Sequence, residues 1–106
     1  MDPFDLGNLG SLLGGFQQRM AEMKQKAADA RWTGEAGGGL VKVTLTGDYH
    51  MDAVSIGEGA MQDRELLEDL VRAATAEALR KVREDVEKNL AVLTGGLPIP
   101  PGMLPF

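Results

Sequence analysis

A chain of 106 residues carrying 14 glycines, 5 prolines, one Trp, one Tyr and three Phe has room for one domain with a thin core. It holds no cysteine and one histidine, which excludes a disulfide framework, a thiolate nucleophile and the usual zinc sites. The net charge of −5 argues against a polyanionic partner if taken whole, so the distribution of charge matters more than its sum.

No apolar run approaches the ~20 residues that span a bilayer. The opening Met1-Asp2-Pro3-Phe4-Asp5 is acidic, where a signal peptide would be basic. A soluble cytoplasmic protein is expected, with no membrane partner.

From Asp2 to Gly15, glycines alternate with leucines, and each helical Gly costs about 1 kcal/mol relative to Ala. Leu9, Leu13, Phe16, Met20, Met23, Ala27 and Ala30 then step by four and three, a heptad seam. The spacing predicts a helix from about Ser11 to Arg31, with Met20 and Met23 as core residues.

The period changes to two after Trp32. Val41, Val43 and Leu45 share one strand face, opposite Lys42, Thr44 and Thr46. Gly37-Gly38-Gly39 before this strand and Gly47-Asp48 after it are turn signals. Strands at Trp32–Ala36 and Tyr49–Ile56 would complete an antiparallel meander of three strands. One extra residue near Asp52-Ala53, a bulge, would bring Met51, Val54 and Ile56 onto a single face.

Asp63 is placed to N-cap a second, long helix, with Glu65, Glu68 and Asp69 complementing its positive end. Leu67, Val71, Ala74, Ala78, Val82, Val86, Leu90 and Leu93 form its apolar stripe, and Thr94-Gly95-Gly96 ends it. A helix of this length, about 46 Å, outreaches a small sheet, so a second subunit is expected to cover its far half. Residues 97–106 contain four prolines and read as an extended tail. Its Leu97, Met103, Leu104 and Phe106 either dock on the dimer or bind a partner. The fold class is α+β: residues 1–96 as the domain, residues 97–106 as the tail, and a two-fold homodimer with projecting helical arms.

Three strings now align with a known family. Gly34-Glu35-Ala36-Gly37-Gly38-Gly39-Leu40-Val41-Lys42-Val43 resembles the GEAGGGxVKV segment of the YbaB/EbfC family. Leu67-Glu68-Asp69-Leu70-Val71-Arg72-Ala73-Ala74 is similar to its LEDLxxAA helix start. Leu93-Thr94-Gly95-Gly96-Leu97 and Pro101-Gly102-Met103 resemble its TGGL…PGM end. Two departures are Gly57-Glu58 after Ile56, where many members have Asp-Pro, and Thr75 where an Asn is common. The resemblance implies a homodimer that binds double-stranded DNA in the bacterial nucleoid, often with little sequence preference.

Charge narrows the candidate contacts. Residues 17–31 hold Arg19, Lys24, Lys26 and Arg31 against Glu22 and Asp29, whereas residues 58–69 hold five acids against Arg64. Arg19, Glu22, Lys26 and Asp29 alternate in sign at steps of three and four, the pattern of a salt-bridged solvated face. Lys24 and Arg31 have no acid at helical spacing and are the leading candidates for phosphate contact. Arg72, Arg80 and Arg83 follow, although Glu77, Glu84, Asp85 and Glu87 compete for the cations of that helix.

Other chemistry is thin. Gly37-Gly38-Gly39 lacks the Lys-Ser/Thr and the following helix of a phosphate loop and reads as a hairpin. His50 lies beside Asp52 with no nucleophile, a surface strand histidine. No catalytic residue, metal site, cofactor or small-molecule substrate is expected. The alternative to DNA binding is a dimeric scaffold whose arms and apolar tail hold other proteins, which the net charge favours.

Overall fold

A computed structural model describes the backbone of residues 6–94 and the side chains of residues 9–92. The expected tail, residues 97–106, lies outside the described residues. The element order is α1 (Leu6–Asp29), β1 (Arg31–Ala36), β2 (Val41–Thr46), β3 (Met51–Ile56), α2 (Glu58–Met61) and α3 (Arg64–Thr94). The strands form one antiparallel sheet in the order β1-β2-β3. The expected α+β meander is present. The short α2 stands where the sequence suggests only a loop at Gly57-Glu58.

The boundaries differ in one consequential place. α1 starts earlier than Ser11 and stops at Asp29, so Arg31 opens β1 and is not a helical residue. β3 also starts two residues later than expected. Tyr49 has φ of +67°, a left-handed conformation that belongs to the turn and not to a ladder.

Two local features set the sheet. Gly37, Gly38 and Gly39 all have positive φ, which closes the β1–β2 hairpin in a conformation L side chains avoid. Leu45 pairs with Met51 and Thr44 with Ala53, leaving Asp52 as the bulged residue. Beyond it Val43 faces Val54 and Val41 faces Ile56. Met51, Val54 and Ile56 therefore share the face of Val41, Val43 and Leu45, as the bulge predicted.

α3 lies across that face over β1 and β2. Asp63 Oδ1 accepts the N–H of Leu66 at 3.2 Å, the expected cap. The close approach centres on Gly34, where a Cβ would sit 2.1 Å from the Ala74 carbonyl oxygen and 2.4 Å from the Ala78 nitrogen. Lys81 Nζ reinforces the contact, donating to the Thr33 carbonyl at 2.6 Å.

Val41, Val43, Leu45 and Ala60 join Ala74, Ala78, Val82, Val86 and Leu90 in one core. The helical members step strictly by four, so the buried stripe turns by about 40° per step. It faces Gly34 at Ala74 and Ala78, and farther along α3 nears α1, whose Met23 packs on the core.

β3 is left uncovered. Met51, Val54 and Ile56 are 55%, 45% and 41% exposed because α3 stops short of this edge strand. α1 is also largely free: residues 9–19 are all exposed, and of its described side chains only Ala27 is buried, with 9% of its surface still open. Its C-terminal end is tied down where Gly47 N–H donates to the Ala30 carbonyl at 3.1 Å. The result is an elongated molecule, 71 × 22 × 19 Å.

Candidate nucleic-acid interface

The positions of the cations decide what this fold can attract. Six of the eleven are held in ion pairs: Arg31–Asp52 (3.2 Å), Lys42–Glu35 (3.7 Å), Arg64–Glu68 (3.7 Å), Arg72–Asp69 (2.8 Å), Arg80–Glu84 (2.9 Å) and Lys81–Glu77 (3.3 Å). Arg19, Lys24, Lys26, Arg83 and Lys88 make no ion pair with the described residues. The paired cations belong to the sheet and the first part of α3. The unpaired ones lie on the second half of α1 and the far part of α3.

Two expectations from residue spacing are corrected here. Glu22 and Asp29 do not neutralise Arg19 and Lys26. Glu22 instead accepts from Gln18 Nε2 at 3.5 Å, and Asp29 from Gln25 Nε2 at 3.2 and 3.3 Å. The two cation-first pairs, three residues apart, run in the less favourable order against the helix dipole, but Glu22 and Lys26, acid first and four apart, do not pair either. Each acid turns to the glutamine one turn before it.

Arg31 departs in the opposite direction. As a strand residue it reaches the bulged Asp52, and its Nη1 donates to the carbonyls of Ala28 and Ala30 at 2.7 and 3.1 Å. It caps the end of α1 and is not a spare cation. Arg80 is engaged by Glu84, one of the expected competitors, and Arg72 by Asp69, which is not one of them, while Arg83 makes no ion pair with the described residues.

Arg19 and Lys26 stand two turns apart on one face of α1, about 10 Å along its axis. With Glu22 and Met23 they form one wall of an open cleft of about 320 Å³, and Asn89 and Val92 of α3 line it too. Lys24 lies off that face. Lys88 borders a smaller recess of about 180 Å³ with Trp32, Lys81, Glu84 and Asp85.

Asn89 was missed in the sequence, where Lys88 counts among the second helix's cations for which its acids compete. Glu84 stands four residues from both Arg80 and Lys88 and pairs with Arg80, while Asp85 accepts from Asn89 at 3.2 Å. Spacing identifies these competitors but not which of them wins.

Residues 19–29 and 83–92 together hold five cations and five acids, so the whole net charge of −5 resides elsewhere in the chain. Glu84 is matched by Arg80, which lies just outside these segments, so five unpaired cations stand here against four unpaired acids, Glu22, Asp29, Asp85 and Glu87. A short-range partner thus meets a small excess of positive charge here, where the chain as a whole is negative.

His50 pairs with Asp48 (Nδ1–Oδ1 3.1 Å) and not with Asp52. The Thr46 hydroxyl also donates to Asp48, and it and His50 hold that carboxyl below the usual carboxylate range. This is a turn lock: the same hydroxyl accepts the His50 N–H at 3.0 Å. No group of three or more His, Asp or Glu among the described residues is placed to hold a metal ion. None of the helices among them is long and apolar enough to cross a membrane.

A three-stranded antiparallel sheet backed by one long helix, with its accessible cations gathered on a helical arm, defines a small α+β binding domain. The YbaB/EbfC DNA-binding family matches residues 2–97, and the chain belongs to that family, whose members are nucleoid-associated DNA-binding proteins. Among solved structures, it is similar to the crystal structure of the uncharacterized protein HP0035 from Helicobacter pylori. Identity is 28%, the match covers 88% of this chain and 99% of that chain, and the TM-score is 0.77.

Proposed function

We propose that this protein binds duplex DNA as a homodimer, mainly through phosphate contacts with little sequence preference, and serves nucleoid organisation or gene regulation. The observation that carries the reading is the segregation of charge. The five cations that make no ion pair with the described residues all lie on the arm formed by α1 and the far part of α3. Arg19 and Lys26 in the cleft are the principal contacts, with Lys24, Arg83 and Lys88 beside them. Arg31, Arg72 and Arg80 contribute less, because a phosphate must first displace Asp52, Asp69 or Glu84.

The dimer is supported by β3. Three large apolar side chains on an uncovered edge strand invite a second copy, and a two-fold would bury the same patch on both. Dimerisation doubles the five cations, so the arms can follow a phosphate backbone despite the negative total. Residence in the cytoplasm, on the nucleoid, follows from that partner.

The test is fluorescence anisotropy with unrelated duplexes across a salt series. Arg19→Ala/Lys26→Ala is expected to weaken binding alike for every sequence. It should also flatten the log–log salt dependence by roughly 0.9 for each phosphate no longer neutralised. If wild type fails to bind any duplex at low salt, the scaffold reading replaces this one. The net charge and the bare apolar face of α1 favour that second reading.

A further inference from the structure

We propose that the uncharged first half of α1 is a second self-association surface, on which another copy of this chain lays the same half-helix antiparallel, linking one dimer to the next. The proposal rests on the homodimer inferred above and adds to it a surface that β3 does not use.

The observation is an exposed stripe on an unsupported helix. Leu9, Leu12, Leu13 and Phe16 are 47%, 65%, 54% and 49% exposed. At 100° per residue all four fall within about 60° of one line, and Met20 and Met23 continue it. Met23 packs on the chain's own core, so the stripe is an extension of that core running out into solvent. The same stretch contains Gly7, Gly10, Gly14 and Gly15, which weaken a helix, and an isolated helix this short is marginal in water. Packing of the stripe is what would hold it.

A second copy fits this surface better than a charged partner. Residues 6–18 contain no Asp, Glu, Lys, Arg or His, so they offer nothing to a phosphate or an acidic peptide. Identical copies meet there without like-charge repulsion. The stripe is also self-complementary. About a two-fold between Leu12 and Leu13, an antiparallel copy sets Leu9 against Phe16 of its mate and Leu12 against Leu13.

A parallel pairing would bring Arg19, Lys24 and Lys26 of both copies together. The antiparallel one places the two Arg19 residues about 20 Å apart along the pair. The cations at each end stay open, so two DNA-bound dimers become bridged through their arm tips.

Sedimentation velocity of the full chain without DNA, over a concentration series, tests this. Wild type is expected to pass from dimer to larger species. Leu13→Ser/Phe16→Ser is expected to remain a dimer, its second step weakened by more than about tenfold. Leu12→Cys puts one thiol beside the two-fold of a chain that has no other, and mild oxidation should join two copies through it.

A wild type that never exceeds a dimer overturns the proposal. So does a monomeric Leu13→Ser/Phe16→Ser variant, which would place the stripe in the dimer interface itself. If Leu104→Ser/Phe106→Ser creates larger species that wild type lacks, the stripe belongs to the chain's own tail, and the proposal again fails. Because DNA is absent, failure of the DNA-binding reading leaves these results unaffected. Val54→Lys, which addresses β3 alone, reports separately on the dimer.

Discussion

Val43 and Val54 face each other across the β2–β3 ladder on the same side of the sheet, yet Val43 is fully buried and Val54 stands nearly half exposed. The same contrast runs through the helices. In α3 the stripe from Ala74 to Leu90 is buried and the cations of its first part have carboxylate partners. In α1 the stripe from Leu9 to Phe16 is bare, and Arg19, Lys24 and Lys26 make no ion pair with the described residues. Body and arm share one amphipathic pattern and differ only in whether another element of the chain covers it. What remains uncovered is what is available to partners.

The largest effects should come from breaking the body where it is tightest. Val43→Asp puts a carboxylate at a site with no exposure and is expected to abolish folding. Val54→Asp, directly opposite, should leave a folded protein by circular dichroism and a monomer by sedimentation. If both variants unfold, β3 belongs to the body after all.

Next come the glycines. Gly34→Val drives a side chain into the α3 backbone at Ala74 and Ala78 and should destabilise by ~3 kcal/mol, read in urea unfolding. Gly14→Ala meets no atom within 4 Å and should raise helical signal, adding up to about 1 kcal/mol. Destabilisation by Gly14→Ala would mean that the arm is packed more closely than its exposure indicates.

Smaller, and confined to function, is the difference between two pairs of cation-to-alanine changes. Arg72→Ala/Arg80→Ala removes cations that already have carboxylates, and its salt dependence for DNA should stay close to wild type. Folding stability should change by less than about 1 kcal/mol, as for exposed ion pairs generally. An effect on DNA equal to that of Arg19→Ala/Lys26→Ala would break the link between pairing and availability.

The smallest effect concerns the turn lock. Thr46 and His50 lower the Asp48 carboxyl below its ordinary 3.8, so its contribution to stability is present above that value. It is lost as pH falls through the lowered folded value. Asp48→Asn should therefore melt slightly below wild type at neutral pH and converge with it in acid. A gap that persists at about pH 2 would assign the effect to the turn backbone and not to the charge.

Much of this architecture is legible from residue order. The two-residue period of Val41, Val43 and Leu45, the triple glycine and the Asp63 cap are local signals, and each element they imply is present. The bulge too could be placed, since Met51, Val54 and Ile56 share a face only if one residue is skipped. The end of α1 was not legible. Nothing between Asp29 and Trp32 forbids another helical residue, and only pairing with Thr46 draws Arg31 into the sheet.

The interface divides along the same line. That the cations of α1 matter could be argued from composition and from the resemblance to a DNA-binding family. Which of them are spare could not, because an ion pair is a competition among every acid and donor within reach. Gln18 and Gln25 occupy the acids near Arg19 and Lys26, while a bulge on a strand more than twenty residues away delivers Asp52 to Arg31. Periodicity, caps and turns act over a few residues, so the chain alone determined which elements form and which faces are apolar. Coverage of those faces and the partner of each charge depend on contacts between distant segments, and these only the tertiary structure decided.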